Sequence, residues 1–546
     1  MAAIGQPNGG SSFDVHGLSQ PTMQPKPSAT LRLAEIMATL SLATDLGMGQ
    51  PLEFALTGCV LATRMGESLG LPISDLRDVY YFGLLRFIGC TSDTYAIAAL
   101  LGDELSLRSA FAAVDPGSTS QVLNLTIRFM RQAHAGAPPL DMARTLIRGV
   151  LNMPQFMKDQ FSGHCEVAQR LAERLGFGAG LIHALGQLYE RWDGKGLPHG
   201  LRGEAVSPAV LLVTLAQDAV TYQRLAGLDA AVQMVRARSG GAYDPRHAEH
   251  FCAHATALLQ GLDDEPSWEL VLACEPGERC ALTATQVDTA CQALADFADI
   301  KSPYMLGHSP GVAELAAAAA RIGGLGEAEA LALWRAGLLH DLGRAGISAG
   351  VWTKPGPLTE REWEQVRLHP YYTERILARP PAFATIGALA ALPHERLDGS
   401  GYHRRLPASL LSPAARVLAA ADVYRALLEP RPHRGARTPD AAAAELTRAA
   451  SAGGLDPDAV RCVLAAAGQP VNKARPARPA QLTERELDVL RLIARGHSIK
   501  QMAQQLTISP KTVDTHIQHI YEKIGVSTRA GATLFAVEHD LLTQTA

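Results

Sequence analysis

The sequence has few of the features that mark a secreted, membrane-bound or strongly basic protein. Its eight cysteines include no C-x-x-C pair, which disfavours a structural zinc site and leaves disulfide bonds without a framework. No run of about 18 apolar residues occurs, and the N-terminal segment lacks the basic and apolar regions of a leader. We therefore predict a cytoplasmic protein with reduced thiols and no membrane association. The net charge is only −4, so any binding to nucleic acid has to be local.

Alternating patterns of β-branched residues are also scarce, and alanine- and leucine-rich segments with helical spacing take their place. The sequence therefore predicts an all-α fold. A chain of 546 residues is too long to fold around a single hydrophobic core, and this length indicates about three domains. The segment 1–30 is rich in Gly, Ser, Pro and Gln, and we predict that it is a disordered tail.

Two blocks of the sequence have near copies further along the chain. GLLRFIGC at positions 83–90 matches GLLHDLGR at 337–344, and ERWDGKGLP at 190–198 matches ERLDGSGYH at 395–403. In both copies the first glutamate of the second block lies 26 positions after an upstream histidine. We interpret this correspondence as an internal duplication that produces two related helical domains.

The two predicted domains cover residues 31–260 and 285–467, and they differ at matched polar positions. The second domain has metal-binding residue types where the first has Arg86, Phe87 and Tyr189. We predict that the first domain is a degenerate copy that packs against, dimerises with or regulates the second. A residual ligand pocket is the alternative interpretation of this copy.

Five short blocks in the second domain carry histidines and aspartates. They read GHS, GLLHDLGR, LHP, PHERLDGSGY and AADVY, between Gly307 and Tyr424. In this order they resemble the HD-GYP family of the HD phosphohydrolase superfamily, over about residues 299–465. The resemblance implies a helical metal-dependent domain whose metal ligands are His308, His340, Asp341, His369, His394 and Asp422.

The same resemblance implies a reaction. The family's usual substrate is cyclic di-GMP, so the expected substrate is cyclic di-GMP or a related nucleotide phosphodiester. Imidazole and carboxylate donors without thiolate favour a divalent transition metal, and a dinuclear iron or manganese centre is expected. Such a centre activates water and holds phosphate oxygens during in-line displacement. We predict catalytic roles for Asp341, as the bridging ligand, and for Arg344, whose permanent cation neutralises charge on the scissile phosphate.

Two departures from the family pattern favour a second hypothesis. Pro393 stands where the family has another histidine, and Arg425 replaces the usual second aspartate after ADVY. The GYP signature also departs from the pattern, since it ends in His403. In this alternative the domains bind a ligand or a metal without turnover, and the chain is a sensor that regulates transcription.

The segment 482–546 predicts a compact set of four helices. Thr483 with Glu486, and Ser498 with Gln501, have the spacing of capping boxes, and Ser509 followed by Pro510 predicts the start of a further helix. Together with the blocks LTERE and ISPKTVDTH, this segment resembles the LuxR-type DNA-binding domain. The resemblance implies a helix-turn-helix whose third helix enters the major groove of double-stranded DNA.

Outward polar residues on this segment predict the surface that contacts DNA: Lys500, Lys511, Thr512, Thr515, Gln518, His519 and Lys523. A basic, proline-rich stretch at 468–481 is predicted to be an extended linker. Because a single module of this size binds weakly, we expect a homodimer that reads two half-sites. The whole chain is then a bacterial one-component transcription regulator with a nucleotide-dependent input.

Overall fold

The computed structural model describes residues 31–136, 138–262, 267–470, 480, 482–539 and 541. Throughout these residues the backbone is helical or irregular, and isolated bridges are the only β-type pairings. The prediction of an all-α fold is therefore confirmed. The predicted tail at 1–30 and most of the predicted linker at 468–481 lie outside the described residues.

The described part of the chain divides into two compact units, and the boundary in the sequence falls between Gln469 and Pro470. The first unit contains both copies of the duplication. Its first half contains twelve described α-helices, α1 to α12 in chain order: Leu33–Gly47, Phe54–Ser68, Ile73–Leu85, Thr94–Leu101, Glu104–Phe111, Thr119–Ala133, Pro139–Arg174, Ala179–Leu185, Pro208–Ala226, Leu228–Arg238, Pro245–Leu259 and Ser267–Ala273.

The second half of this unit contains the helices α13 to α22: Ala284–Asp299, His308–Ile322, Glu327–Leu339, Ala349–Trp352, Glu360–Arg367, His369–Leu377, Ala384–Ala390, Pro413–Leu428, Pro439–Ser451 and Pro457–Ala466. Short 3-10 turns occur at Ile88–Thr91, Gly203–Ala205, Leu342–Gly346, Pro381–Phe383 and Ala408–Leu410. Buried alanine and leucine side chains fill the spaces between these helices, as their helical spacing predicts.

Matched glycines allow the same close approach in both copies. A Cβ atom on Gly89 would overlap the carbonyl oxygen of His164, and one on Gly343 would overlap the carbonyl oxygen of His369. The 3-10 turn that follows the third helix of each copy can therefore pack directly against a helix backbone. This shared contact supports the duplication inferred from the sequence.

A buried glutamate organises the same loop in both copies. Glu190 accepts hydrogen bonds from the backbone N–H groups of His199 and Leu201, at 2.7 and 2.8 Å. Glu395 accepts from the N–H groups nine and eleven residues downstream, at 2.8 and 2.9 Å. Since both carboxylates are 2% exposed, these bonds satisfy groups that water cannot reach.

The two copies are joined by a buried polar contact. Glu104 in α5 is fully buried and accepts hydrogen bonds from Ser348 Oγ and Ala349 N, at 2.7 and 2.9 Å. Its carboxylate also lies 3.5 Å from the Lys301 Nζ atom, and Lys301 donates to the Ala345 carbonyl at 2.6 Å. The first copy is thereby anchored to the segment that immediately follows Arg344.

The second unit contains α23 to α26: Glu484–Ala494, Ile499–Leu506, Pro510–Ile524 and Arg529–Glu538. The two predicted capping boxes and the predicted Ser509 cap are present, so the predicted helix starts are confirmed. Val513 and Ile520 are fully buried, and Ile517 and Ile524 pack against the same core. This apolar stripe fixes which face of α25 is outward.

Among the described residues, no single helix is long and apolar enough to cross a bilayer, although the bent pair Ile73–Thr91 and Thr94–Leu101 together meets the length and composition criteria.

Candidate metal centre

Six side chains from separate elements converge inside the second copy. His308 begins α14, His340 caps the end of α15, and Asp341 follows it. His369 begins α18, His394 lies in the loop after α19, and Asp422 lies within α20. Helix ends supply three of these positions, since the backbone turns there and side chains from several directions can meet. The structure thus brings together all six residues of the predicted ligand set.

The six side chains form two groups of three. His308, His340 and Asp422 make up one group, and Asp341, His369 and His394 make up the other. Within each group the donor atoms lie within 4.8 Å of one another.

Asp341 links the two groups. Its Oδ2 atom lies 3.4 Å from His340 Nε2, and its Oδ1 atom lies 3.6 Å from His369 Nε2. A carboxylate with one oxygen toward each group is placed to bridge two ions.

The histidine tautomers leave one nitrogen of each ring available. His340 Nδ1 lies 2.7 Å from the Gly337 carbonyl and His369 Nδ1 lies 2.6 Å from the Val366 carbonyl. Each Nδ1 therefore carries a proton and donates, so Nε2 is the nitrogen that faces the centre and that offers a lone pair to a cation once it is deprotonated. The Nε2 atoms of His369 and His394 approach to 2.8 Å, a separation suited to two donors that share one cation.

Two buried polar atoms of the centre have no hydrogen-bond partner. These are Nε2 of His340 and Oδ1 of Asp341, although both residues are only 1% exposed. An unsatisfied buried polar atom is costly, and a bound cation satisfies such atoms. The donor set of imidazole and carboxylate, without thiolate, fits a divalent transition ion.

The histidines of the centre differ in the direction in which their pKa is shifted. Burial opposes protonation of His340, but Asp341 and Asp422 outweigh it and raise the pKa of His340 to about 9. Burial lowers the pKa of His394 to about 4, and Asp422 offsets this only in part. Burial raises the pKa of Asp341, but Arg344 and His340 together hold it well below its usual range. The centre therefore concentrates negative charge on its aspartates.

Arg344 occupies the position expected for the predicted catalytic cation. Its Nη1 atom lies 2.8 Å from Asp341 Oδ2, and its guanidinium lies over the Trp352 ring at 4.1 Å from the ring centre. Its Nε atom is buried without a hydrogen-bond partner. The stacked ring holds the guanidinium in place while donors remain available to an anion.

Sequence reasoning missed Glu429. Its Oε2 atom lies 2.8 Å from His308 Nδ1, so it orients that ring as the carbonyl groups orient the rings of His340 and His369. Its position seven residues after Asp422, just past the end of α20, is the only signal in the sequence. Arg425, one of the departures from the family pattern, contacts Glu429 at 3.3 Å. His403 faces Glu374 at 3.4 Å and belongs to neither group of three.

The matched site in the first copy has different partners. His164 Nε2 lies 2.7 Å from Asp93 Oδ2, and His164 Nδ1 lies 2.7 Å from the Tyr189 hydroxyl. Arg86 donates to Thr214 Oγ1 at 2.8 Å. In the part of the chain that the structure describes, groups of three metal-binding side chains occur only in the second copy.

The outward face of the second unit carries most of the predicted DNA-contacting residues. Six are exposed and have no acidic partner among the described contacts: Lys500, Lys511, Thr512, Thr515, Gln518 and His519. Lys523 differs, since its Nζ atom donates to both carboxylate oxygens of Glu486, at 2.7 and 2.9 Å. The charge of Lys523 is therefore already paired within the unit.

Comparisons with known proteins agree with this geometry. The model of the HD domain family matches residues 292–459. A 3'3'-cGAMP-specific phosphodiesterase 3 of Vibrio cholerae is 30% identical over 419 residues, which are 76% of this chain and 90% of the relative. The chain belongs to the HD-GYP family.

Further similarities within the HD-GYP family concern both structure and sequence. The crystal structure of a cyclic GMP-AMP-specific phosphodiesterase of Vibrio cholerae matches with a TM-score of 0.55 and 27% identity, over 81% of this chain and 98% of that one. A cyclic di-GMP phosphodiesterase response regulator of Xanthomonas campestris is 43% identical over 125 residues, 22% of this chain and 33% of the relative. The family resemblance inferred from the sequence is confirmed.

The model of bacterial regulatory proteins of the luxR family matches residues 480–536. This match covers the four helices of the second unit. The protein therefore combines a domain of the HD family with a LuxR-type DNA-binding domain, and the prediction of a fused regulator is confirmed.

Proposed function

We propose that the second copy hydrolyses a phosphodiester bond of a cyclic dinucleotide and that the LuxR-type domain links this reaction to transcription. The observation that carries the proposal is the pair of three-residue groups joined by Asp341, with buried donor atoms that lack partners. The relatives act on 3'3'-cGAMP and on cyclic di-GMP by their names, so both are candidate substrates. Hydrolysis adds one water across one P–O bond and gives a linear dinucleotide.

Each residue of the centre has a proposed role. In this proposal His308, His340 and Asp422 would hold one divalent ion, His369 and His394 would hold a second, and Asp341 would contribute a carboxylate oxygen to each group. When bound, such a pair lowers the pKa of a water molecule and stabilises charge on phosphate oxygens. Iron or manganese fits the donor types.

Arg344 is proposed to contact the phosphate group. Its guanidinium is held by Asp341 and by the Trp352 ring, so little reorganisation is needed when an anion arrives. A fixed cation at this position stabilises the additional negative charge of the transition state. Glu429 acts through His308 as a positioning residue.

Turnover by the full-length protein tests the proposal. The protein is loaded anaerobically with Fe(II) or Mn(II) and incubated with cyclic di-GMP and with 3'3'-cGAMP, and linear products are quantified by chromatography. We expect product from the wild type and a loss of at least a hundredfold for His340→Ala and Asp341→Ala. His183→Ala, in the first copy, is the control histidine and keeps wild-type turnover.

Metal content, measured on the same samples, separates the two hypotheses for this domain. Absence of product from a protein that holds two ions per chain would contradict the proposed reaction and would favour the non-catalytic sensor, to which Pro393 and Arg425 point. Absence of both ions and product would contradict the proposed ligand set.

For the LuxR-type domain we propose binding to double-stranded DNA as a homodimer. The exposed face of α25 and the N-terminal end of α24 supply the contacts. Fluorescence anisotropy with a pool of promoter fragments, followed by analytical ultracentrifugation of the complex, tests both parts. One chain per DNA site at saturation would contradict the dimer.

A further inference from the structure

The first copy encloses a cavity at the position that matches the metal centre of the second copy. Its volume is about 280 Å³, close to the lower end of small-molecule sites. Most of its wall is apolar and comes from helices α5 to α7. The principal side chains of this wall are Leu107, Phe111, Leu125, Met153, Phe156 and Phe161.

The opposite side of the cavity is polar. Thr214, Gln217, Asp218 and Thr221 lie on α9 at positions i, i+3, i+4 and i+7, so they form one stripe along the helix. Arg86 lies against this stripe through its hydrogen bond to Thr214. The cavity is therefore amphipathic, with one polar side and a large apolar remainder.

Two buried N–H groups on the polar side have no acceptor. They are Nε of Arg86 and Nε2 of Gln217, and Gln217 is only 4% exposed. Its position is fixed, because its Cγ atom packs against the space that Gly58 leaves free. Unsatisfied buried donors are rare in folded proteins, and their presence at a cavity indicates a ligand with acceptor atoms.

Arg86 forms no salt bridge with the carboxylates that line the cavity, although the negative charge of Asp218 acts on it. Asp93 is neutralised by Arg108 at 2.6 Å and by His164 at 2.7 Å. Asp218 is held by Arg238 at 2.8 Å and by the Tyr243 hydroxyl at 2.6 Å. Among the described carboxylates none forms a salt bridge with Arg86. A partly buried guanidinium that lacks a salt bridge favours an anionic group as its partner, so an anion is the expected occupant.

We propose that the first copy is a binding site for a small amphipathic carboxylate, whose head group pairs with Arg86 and whose apolar chain or ring fills the space between α5, α6 and α7. A cyclic dinucleotide fits this cavity poorly, because two linked nucleotides need more room than a volume of about 280 Å³ offers. Binding at this site does not require the reaction that is proposed for the second copy.

Helix α5 contacts both the cavity and the second copy. Leu107, Arg108 and Phe111 line the cavity, while Glu104, at the start of the same helix, binds Ser348 and Ala349. A ligand that displaces α5 therefore also displaces the anchor of the segment after Arg344. The occupied cavity is in this way connected to the metal centre by one rigid element.

Calorimetric titration of the full-length protein tests the site, with decanoate as the anionic probe and 1-decanol as its uncharged counterpart. We expect decanoate to bind saturably at one molecule per chain. Arg86→Met should lower its affinity at least tenfold and change the affinity for 1-decanol by less than twofold. Arg246→Met removes an exposed arginine outside the cavity and serves as the matched control, with unchanged affinities.

A second variant keeps the test decisive if Arg86→Met does not fold. Met153→Trp adds a large side chain inside the cavity, and it should abolish binding of both probes. Wild-type binding of decanoate by either variant would overturn the proposal. Loss of cyclic di-GMP binding in Arg86→Met, with decanoate binding unchanged, would also overturn it, because the cavity would then be a nucleotide site.

Discussion

The buried contact between the two copies yields a stability prediction whose size follows from the structure. Glu104→Ala removes the only described carboxylate paired with Lys301, and it leaves the donors of Ser348 and Ala349 without their acceptor. Lys301 is only 3% exposed. Burial lowers the pKa of Lys301 to about 8 although Glu104 opposes this shift.

Breaking a buried ion pair from one side costs about 3–5 kcal/mol, because the remaining charge stays buried without compensation. We therefore expect Glu104→Ala to lower the free energy of unfolding of the first unit by about that amount. The double variant Glu104→Ala/Lys301→Met should regain at least about 1 kcal/mol, since it removes the unpaired charge as well. Urea unfolding followed by circular dichroism measures both values.

An exposed ion pair is the control for this experiment. Arg321 and Glu327 pair at 3.0 Å, but their side chains are 52% and 75% exposed, so Arg321→Ala should leave the free energy of unfolding nearly unchanged. A loss below about 1 kcal/mol for Glu104→Ala would refute the reasoning. The same conclusion would follow if the double variant were no more stable than the single one.

Three further predictions concern packing, DNA contacts and pH. Gly343→Ala should destabilise the second copy by about 1–3 kcal/mol or more, because its methyl group would overlap a helix backbone. Thermal unfolding measures this loss. The control is Gly356→Ala, which has open space around it and should unfold like the wild type. Lys511→Met should weaken DNA binding uniformly and reduce the slope of log K against log salt by about one, and an unchanged slope in anisotropy titrations would contradict a phosphate contact. Burial raises the pKa of Glu486, but Lys523 and local hydrogen bonds outweigh it and lower that pKa to about 2. The contribution of the Glu486 carboxylate to the stability of the second unit should be complete above about pH 4.5 and lost as pH falls toward 2. Acid unfolding that is identical in Lys523→Met would contradict this.

Local sequence signals predicted the C-terminal unit almost completely. Capping boxes depend on residues three positions apart, so Thr483 with Glu486 and Ser498 with Gln501 define helix starts without tertiary information. The apolar stripe of α25 follows in the same way from helical spacing. The pairing of Lys523 with Glu486 spans 37 residues and depends on how α23 and α25 cross, which no local pattern contains.

The metal centre was predictable because its residues lie in short recognisable blocks. Their convergence and the bridging orientation of Asp341 were expected from the family resemblance alone. Glu429 was not predicted, since it acts through a ring nitrogen of His308, 121 residues earlier. The cavity of the first copy was likewise beyond sequence reasoning, because its main walls come from helices α5, α6, α7 and α9 and its volume depends on their packing.

The two copies together separate residues that maintain the fold from residues that perform chemistry. Gly89 and Gly343 permit the same backbone contact, and Glu190 and Glu395 accept hydrogen bonds from N–H groups at the same offsets. These features persist in a copy that has no group of three metal-binding side chains among its described residues.

It follows that Glu395, although it is adjacent to His394, holds a loop rather than a metal ion or a substrate. The positions at which the copies differ line the metal centre in the second copy and the cavity in the first. Arg86 stands where His340 does, so a fixed guanidinium replaces a residue that is proposed to hold a metal cation. In the two proposals both sites present positive charge to an anion, from a bound metal in the second copy and from Arg86 in the first.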